Sequence, residues 1–244
     1  MITELAQPTP SNPRSDERLI VEAEALCKSY TRGTATTKVL DGVDVQVTAG
    51  ESVFLLGPSG SGKTTLMSLI GCLLTPDSGS LKVFGHRVDQ FSTEQKSELR
   101  RRHIGFVFQK HFLLRGLTAI ENVVTPLRLD PAYDPDSANK RGKLLLERVG
   151  LVDKANESPN RLSVGQCQRV AIARALVADP DLVLADEPTA SLDANSGQQA
   201  MHLLRELTVE SGKTLIVVTH DHRILPFAQR TLTMENGKLT NELN

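Results

Sequence analysis

A run of small residues that ends in a lysine and two threonines, GPSGSGKTT, can hold a chain of phosphates. Small residues let successive backbone N–H groups turn toward an anion at the positive end of a following helix. In this pattern Lys63 reaches the β- and γ-phosphates and the Thr64 hydroxyl binds Mg²⁺. The candidate phosphate-binding residues are Gly57, Pro58, Ser59, Gly60, Ser61, Gly62, Lys63, Thr64 and Thr65. Kinases, GTPases, helicases and transporters share the pattern, so it leaves the reaction open.

Two adjacent carboxylates, Asp186 and Glu187, follow an apolar run at residues 182–185. Ligands of open α/β sheets bind at the carboxyl ends of strands, so both side chains are candidates for the phosphate site. We expect Asp186 to bind Mg²⁺, directly or through water. Glu187 points elsewhere because it is one residue further on, and we expect it to polarise the water that attacks the γ-phosphate.

The elements that must position these residues alternate between strand and helix. Apolar runs of strand length occupy residues 52–56, 104–108, 182–185 and 214–218. Helices are predicted at residues 63–74, where apolar residues fall at helical spacing, and at residues 194–210. This alternation predicts an α/β fold with a parallel sheet covered on both faces.

Other segments differ from this predicted core. Residues 19–56 contain β-branched alternations separated by turn signals, which predict an antiparallel sheet. Residues 118–129, 136–149 and 165–178 predict helices, and we expect a helical lobe at about residues 110–178. Residues 1–18 hold three prolines and scattered polar residues, which predict a disordered tail and not a secretion signal.

The composition is that of an ordinary globular protein, with 39% hydrophobic residues, 23% charged residues and a formal charge of −1. A chain of 244 residues fits one large domain, which we expect at residues 19–240. The balanced charge disfavours nucleic acid as a partner. No apolar run approaches the roughly 20 residues of a membrane-spanning helix, so we expect action at a membrane to need another chain. Three cysteines without metal-ligand spacing indicate a reduced, cytosolic setting.

The segment LSVGQ at residues 162–166, followed by CQR and a predicted helix, resembles the signature sequence of the ABC ATPase family. The other landmarks of that family stand around it in the expected order, and the resemblance covers about residues 19–239. The residues that match these family motifs are Tyr30, Gln109, Ser163, Gly165, Gln166, Asp193 and His220.

The resemblance implies a P-loop NTPase fold of the RecA-like type. This fold has a parallel-sheet core, an antiparallel β subdomain and an inserted helical subdomain. The resemblance also implies ATP and Mg²⁺ as ligands and ATP hydrolysis as the reaction. In this family the signature contacts nucleotide bound to the other subunit, which implies a head-to-tail homodimer joined by two ATP molecules. Ser163 and Gly165 then supply donors that a γ-phosphate lacks from the phosphate-binding loop alone.

The resemblance also implies roles for single residues. His220 bonds the γ-phosphate and helps hold the attacking water near Glu187. Gln109 senses Mg²⁺ and water and links the site to the helical lobe. Tyr30 stacks on the adenine. The catalytic set is therefore Glu187, His220 and Gln109, and the metal-binding set is Thr64, Gln109 and Asp186.

The chain departs from the family pattern at Val164, where the commonest signature has a second glycine. Valine is restricted to negative φ, so the local backbone must suit that conformation, and we expect activity to survive, with a lower rate as the alternative. Cys167 replaces a residue that is usually polar or charged. It is interpreted as a tolerated substitution, with a redox-sensitive thiol as the alternative.

Residues 66–88 and 101–122 resemble the ATPases of bacterial lipoprotein-release, macrolide-export and heterocyst-type exporter systems. This resemblance implies a subunit that powers an integral-membrane permease from the cytoplasmic face of the inner membrane. It predicts a cleft beside Gln109 that grips a short helix of the permease. An ABC ATPase that signals through a membrane partner without transport stays open. A DNA-repair or translation ATPase is disfavoured because the chain has no long coiled-coil insertion and no second cassette.

Overall fold

A computed structural model of the protein describes the backbone of residues 18–243 and the side chains of residues 18–240. The predicted tail at residues 1–18 lies outside the described residues apart from Arg18. The described part of the chain contains two sheets, six α-helices and six short 3₁₀ helices.

The larger sheet has six strands in the order β10-β9-β3-β8-β7-β6. Its strands are β3 (Ser52–Leu56), β6 (Ile104–Val107), β7 (Leu182–Asp186), β8 (Thr214–Thr219), β9 (Arg230–Glu235) and β10 (Lys238–Leu243). All the pairs from β9 to β6 are parallel, and β10 is antiparallel to β9. The predicted parallel sheet is therefore confirmed, although β9 and β10 were not predicted.

The smaller sheet is antiparallel and has the order β2-β1-β4-β5. Its strands are β1 (Leu19–Arg32), β2 (Ala35–Thr48), β4 (Ser78–Val83) and β5 (His86–Arg87). The predicted antiparallel sheet is confirmed for residues 19–48. Extending it to residue 56 was wrong, because β3 belongs to the parallel sheet. All five residues of β3 are buried, as expected for a strand covered on both faces.

The α-helices are α1 (Lys63–Ile70), α2 (Thr93–His103), α3 (Ala119–Val124), α4 (Pro135–Arg148), α5 (Val164–Leu176) and α6 (Ala194–Leu207). The predicted helix at residues 118–129 ends early. Pro126 has no N–H to continue the α-helical ladder, and residues Thr125–Leu129 form a 3₁₀ helix. Helix α2 was not predicted because Leu99 is its one buried residue, which leaves no apolar periodicity.

Both faces of the parallel sheet are covered, as predicted. Phe54 of β3 and Val183 of β7 pack in one apolar cluster with residues of α3, α4, α5 and α6. Their neighbours Leu55 and Leu184 point to the other face and pack with α1 and the antiparallel sheet. Each fully buried side chain of this size stabilises the fold by roughly 2 kcal/mol. The alternation of faces explains why the central strands are apolar throughout.

Helices α3, α4 and α5 pack on one another within the region predicted as a helical lobe. The limits of that lobe, residues 110 and 178, stay a prediction. Within residues 18–243, none of the helices combines the length and the apolar surface that a bilayer span needs.

Candidate functional site

A cavity of about 600 Å³ lies where four parallel strands of the larger sheet end. The phosphate-binding loop follows β3, Gln109 lies shortly after β6, Asp186 ends β7 and His220 follows β8. The residues that line the cavity are Val39, Pro58, Ser59, Gly60, Gly62, Lys63, Thr64, Thr65, Gln109, Asp186, Glu187 and His220. The sheet therefore gathers the predicted phosphate loop, both carboxylates, Gln109 and His220 at one edge. Gly57 and Ser61 belong to the same loop but do not line the cavity.

Helix α1 presents an uncapped N-terminus to this cavity. Gly62 precedes the helix and has no side chain to cap it, and the first turn holds no acidic residue. Each of the other five α-helices in the described part of the chain is capped by a serine, threonine or aspartate side chain. The first N–H groups of α1 are thus left for an external acceptor, as in a phosphate site.

Two glycines of the loop are required by close backbone contacts. A Cβ on Gly57 would lie 2.2 Å from the carbonyl oxygen of Met234. A Cβ on Gly62 would lie 2.8 Å from the carbonyl oxygen of Val39, and Gly62 has a φ of +108°. Any larger residue at either position would push the loop away from β2 or β9, so glycine fixes the shape of the phosphate cradle.

Lys63 is buried beneath the loop. Its ammonium donates hydrogen bonds to the carbonyl oxygens of Gly57, at 2.7 Å, and Pro58, at 2.8 Å. Burial lowers the pKa of Lys63, while the charges of Glu187 and Asp186 act in the opposite direction. The ammonium is therefore a cation that the fold holds inside the cavity, where it can meet a triphosphate.

Thr64 and Asp186 provide a pair of oxygen atoms that fits Mg²⁺. The Thr64 hydroxyl donates to a carboxylate oxygen of Asp186 at 3.2 Å. Burial raises the pKa of Asp186, and the charge of Glu187 adds to the rise, whereas Thr64 and Lys63 oppose it. A hydroxyl beside a half-buried carboxylate is a pair of oxygen ligands suited to this small, hard cation.

Glu187 is held with one carboxylate oxygen bonded and the other unpaired. Its Oε1 lies 2.7 Å from Nδ1 of His220, and its N–H donates to the carbonyl oxygen of Val218. Oε2 is buried and has no hydrogen-bond partner in the described structure. Glu187 also has a φ of +48°, which is unusual for a residue with a side chain. A buried, unpaired carboxylate oxygen beside the phosphate loop is well placed to accept a proton from water.

The signature residues cap helix α5. The Ser163 hydroxyl accepts a hydrogen bond from the N–H of Gln166 at 3.2 Å, and the Gln166 side chain accepts from the N–H of Ser163 at 2.8 Å. A serine hydroxyl that accepts one bond still has its own proton to donate. The N–H of Gly165, in the first turn, is not used by this cap. Ser163, Gly165 and Gln166 do not line the cavity at the sheet edge.

Asp193 lies beside the signature. It caps α6 by accepting from the N–H groups of Asn195 and Ser196, each at 3.0 Å. The Ser196 hydroxyl also donates to the Asp193 carboxylate, at 2.6 Å. This hydroxyl bond, followed by the N–H bonds, lowers the pKa of Asp193. A Cβ on Gly165 would lie 3.9 Å from the Ser196 side chain, so the starts of α5 and α6 are neighbours. The signature and Asp193 therefore form one surface, separate from the cavity.

The two departures from the family pattern fit this surface without distortion. Val164 is the first residue of α5, does not have a positive φ and is 51% exposed. Cys167 is half-buried, and its Sγ lies 3.6 Å from the carbonyl oxygen of Pro159. Burial raises the pKa of the Cys167 thiol, which disfavours a reactive thiolate at neutral pH.

Tyr30 does not line the cavity. It lies near the end of β1, is 44% exposed and has the ammonium of Lys28 5.9 Å from its ring centroid. Its predicted contact with adenine stays a prediction. Val39 of β2 does line the cavity and was missed, since a valine in an alternating strand carries no signal of a binding role.

A second cavity, of about 380 Å³, lies beside the loop that follows β6. Its wall is partly aromatic and apolar and partly cationic. It includes Leu73, Phe106, Phe108, Phe112, Leu129, Arg100, Arg101 and Arg174. Leu129 is 72% exposed there, so an apolar surface of this wall faces solvent in the single chain.

Comparisons with known proteins agree with these features. A family model described as "ABC transporter" matches residues 40–190. The lipoprotein-releasing system ATP-binding protein LolD of Shewanella oneidensis is 44% identical over 221 residues, which cover 91% of this chain and 96% of that protein. LolD 1 of Caulobacter vibrioides is 42% identical over 224 residues, with 92% and 96% covered. A dimeric, post-hydrolysis structure of the ATP-binding cassette MJ0796 with ADP and Pi has a TM-score of 0.85 at 39% identity, covering 92% of this chain and 98% of that chain.

Proposed function

The chain belongs to the ABC transporter family as an ATP-hydrolysing subunit that binds ATP and Mg²⁺, and from this we propose that it works as half of a head-to-tail homodimer. Two ATP molecules join the copies, and their hydrolysis drives a separate permease in the membrane. The chain then sits peripherally on the cytoplasmic face of the inner membrane. Nucleic acid is not part of this scheme.

The proposal rests on one observation, which is that the nucleotide cavity is built from only one side. The phosphate loop, Asp186, Glu187 and His220 line it, whereas Ser163 and Gly165 lie on another surface. The charge of a γ-phosphate needs donors on its open side as well. A second copy related by a twofold axis supplies them from its α5, and the first copy returns the same contact.

Within one site we assign the following roles. Lys63 and the N–H groups of α1 hold the β- and γ-phosphates, and Thr64, Asp186 and Gln109 hold the metal. Bound there, Mg²⁺ neutralises charge that develops on the phosphates. Oε2 of Glu187 accepts a proton from water as the water oxygen attacks the γ-phosphorus, and the bond from that phosphorus to the β–γ bridging oxygen breaks, which gives ADP and phosphate.

His220 and the partner copy complete the site. His220 fixes the Glu187 carboxylate through Oε1 and stands beside the γ-phosphate. Across the interface, the Ser163 hydroxyl donates a hydrogen bond to the γ-phosphate, and the Gly165 N–H donates a second one. Once the γ-phosphate leaves, these contacts are lost and the two copies separate, which gives a cycle of closing and opening.

A mixture of two inactive variants tests the head-to-tail arrangement. Lys63→Ala disables the phosphate loop, and Gly165→Glu places a negative charge against the partner's γ-phosphate. We expect each variant alone to lose nearly all ATP turnover. Mixing equal amounts should restore about a quarter of the wild-type turnover. Half of the randomly formed dimers are mixed, and each mixed dimer has one intact site out of two.

The control for this experiment puts both substitutions in one chain and mixes that chain with Lys63→Ala. No pair in that mixture contains an intact site, so turnover should stay at the level of the single variants. Failure of the first mixture to recover turnover, with mixed dimers demonstrated by differential tags, would falsify the head-to-tail assignment.

We place the permease contact in the second cavity. Its apolar rings and leucines suit the apolar face of a short helix, and Arg100, Arg101 and Arg174 add positive charge that suits an acidic residue on that helix. The cavity starts beside the loop that contains Gln109 and is next to the nucleotide site. A helix seated there would move with the cassette as the dimer closes.

For the cargo, we infer outward movement of lipid-anchored or amphipathic molecules by a permease with a large extracytoplasmic domain. This inference follows the lipoprotein-releasing names of relatives that cover nearly the whole chain. An experiment with vesicles that contain the permease and this chain distinguishes transport from the signalling alternative. ATP-dependent release of a lipid-anchored protein supports transport, and ATP turnover that responds to the permease without release supports signalling.

Leu129→Glu tests the proposed permease contact, because it places a charge on the apolar wall of the second cavity. We expect co-purification with the permease and permease-dependent release of cargo to fall at least about tenfold, while ATP binding by the isolated chain stays unchanged. Leu144→Glu is the matched control, since Leu144 is 57% exposed on α4 and does not line the cavity. Equal behaviour of the two variants would exclude this cavity as the contact.

A further inference from the structure

The residues that follow β6 form a tight turn with Gln109 at its first central position. The N–H of His111 donates to the carbonyl oxygen of Phe108 at 3.0 Å, which closes the turn over Gln109 and Lys110. The Phe108 ring stacks on Phe106 at a centroid distance of 5.5 Å. The backbone of this turn therefore sets where the Gln109 side chain enters the nucleotide cavity.

Two consecutive residues at the end of this turn have left-handed backbone conformations. His111 has a φ of +57° and Phe112 a φ of +48°. Residues with a Cβ rarely adopt this conformation, and it persists only where surrounding contacts hold it. The ring of Phe112 packs edge-on against Phe108 at 5.4 Å, which fixes the side chain but not the backbone carbonyl groups.

Arg174 of α5 holds those carbonyl groups. Its guanidinium donates to the carbonyl oxygen of Phe112 at 2.7 Å and also donates to that of His111. Helix α5 lies directly on β6 here, since a Cβ on Gly105 would come within 2.3 Å of the Ala175 carbonyl oxygen. Strand and helix thus bring the arginine to the turn from a rigid base.

The contact does not depend on a carboxylate. Within the described residues, the partners of Arg174 are these two carbonyl oxygens, and no acidic side chain pairs with it. Burial lowers the pKa of Arg174. Guanidinium offers a planar fork of donors that can meet two neighbouring acceptors, which a lysine ammonium cannot match. Because this half-buried guanidinium bonds two backbone carbonyl groups, we infer that its role is to maintain the conformation of the loop.

We propose that Arg174 is a positioning residue for ATP hydrolysis, which holds the left-handed backbone at His111 and Phe112 and thereby keeps Gln109 in the nucleotide cavity. This inference rests on the role proposed above for Gln109. Because Phe112 and Arg174 also line the second cavity, the same contact joins the proposed permease site to the nucleotide site.

The test measures steady-state ATP hydrolysis and ATP binding by the purified full chain. For Arg174→Gln we expect kcat to fall about 10- to 100-fold, because a small misplacement of a positioned group is costly, while Kd for ATP changes less than about twofold. For Arg174→Lys we expect kcat to fall about threefold. Arg148→Gln is the control: Arg148 lies on α4, has its guanidinium 3.7 Å from the Glu206 carboxylate and lines neither cavity, so kcat should be unchanged.

Non-additivity distinguishes positioning from general support of the fold. If Arg174 acts through Gln109, adding Arg174→Gln to Gln109→Ala should lower kcat no further. An additive loss, or a wild-type kcat in Arg174→Gln, overturns the inference alone. A wild-type kcat in Gln109→Ala overturns the role of Gln109 and the inference with it. Should Arg174→Gln not fold, Arg174→Lys with unchanged ATP binding and unchanged kcat overturns the inference.

Discussion

Replacing Glu187 with glutamine should stop ATP turnover while ATP binding continues, so that a two-copy ATP-bound assembly accumulates. Glutamine keeps the size of the side chain and can still contact His220, but it cannot accept the proton of the attacking water. Loss of a general base lowers the rate about 100-fold or more. Phosphate release measures the rate, and size-exclusion chromatography with ATP and Mg²⁺ measures the dimer.

Glu210→Gln is the control for this variant. Glu210 forms a surface ion pair with Arg205 at 3.7 Å and lies outside both cavities, so turnover should match the wild type. Normal phosphate release by Glu187→Gln would remove the carboxylate from its role as base. A Glu187→Gln variant that is inactive but stays monomeric with ATP would agree with Glu187 as the base and contradict the dimer joined by ATP.

Lys63→Ala should prevent ATP binding at concentrations that saturate the wild type. Charge-assisted hydrogen bonds contribute about 1.5–3 kcal/mol each, so loss of two contacts to phosphate weakens binding by at least about 3 kcal/mol. This corresponds to a Kd roughly 100-fold higher. The chain has no tryptophan, so a fluorescently labelled nucleotide gives a clean binding signal.

Two controls accompany the Lys63→Ala measurement. Lys140→Ala removes a lysine from α4, away from the cavity, and should bind ATP normally. Thermal unfolding with no nucleotide checks that loss of the two bonds from Lys63 to the loop carbonyls does not unfold the domain. A folded Lys63→Ala protein with wild-type affinity for ATP would refute the proposed contact of Lys63 with the phosphates.

Helix α5 connects the proposals. Its first turn carries the signature that we assign to the partner's nucleotide, and Arg174, three turns later, holds the loop beside the chain's own nucleotide. In these proposals, α5 contacts both sites and gives each copy a direct connection between the interface and the loop. The Glu187→Gln and Arg174→Gln variants examine different parts of the nucleotide site, because the first removes the proposed base and the second removes the support of the Gln109 loop.

The sequence contains local signals for several elements beyond those predicted from its periodicity. The β9–β10 hairpin turns at Asn236 and Gly237, both with positive φ, and Asn-Gly is a strong hairpin signal. Helix α2 begins with a capping box formed by Ser92 and Gln95, although its body has little apolar periodicity. Such local signals mark where an element begins, while the choice of partner strand is made over long sequence separations.

The sequence by itself determined the chemistry available to this protein and the local elements that carry it. Loop, carboxylates and signature could be identified because each needs particular residue types at fixed spacing next to a strand or helix. Tertiary structure decided what no spacing encodes. It brought Asp186 to Thr64 and His220 to Glu187, left the signature on a separate surface and set Arg174 against the carbonyl groups of His111 and Phe112. The physical reason is that parallel strands far apart in sequence end at one sheet edge, and that backbone acceptors and left-handed residues become visible only once the chain is packed.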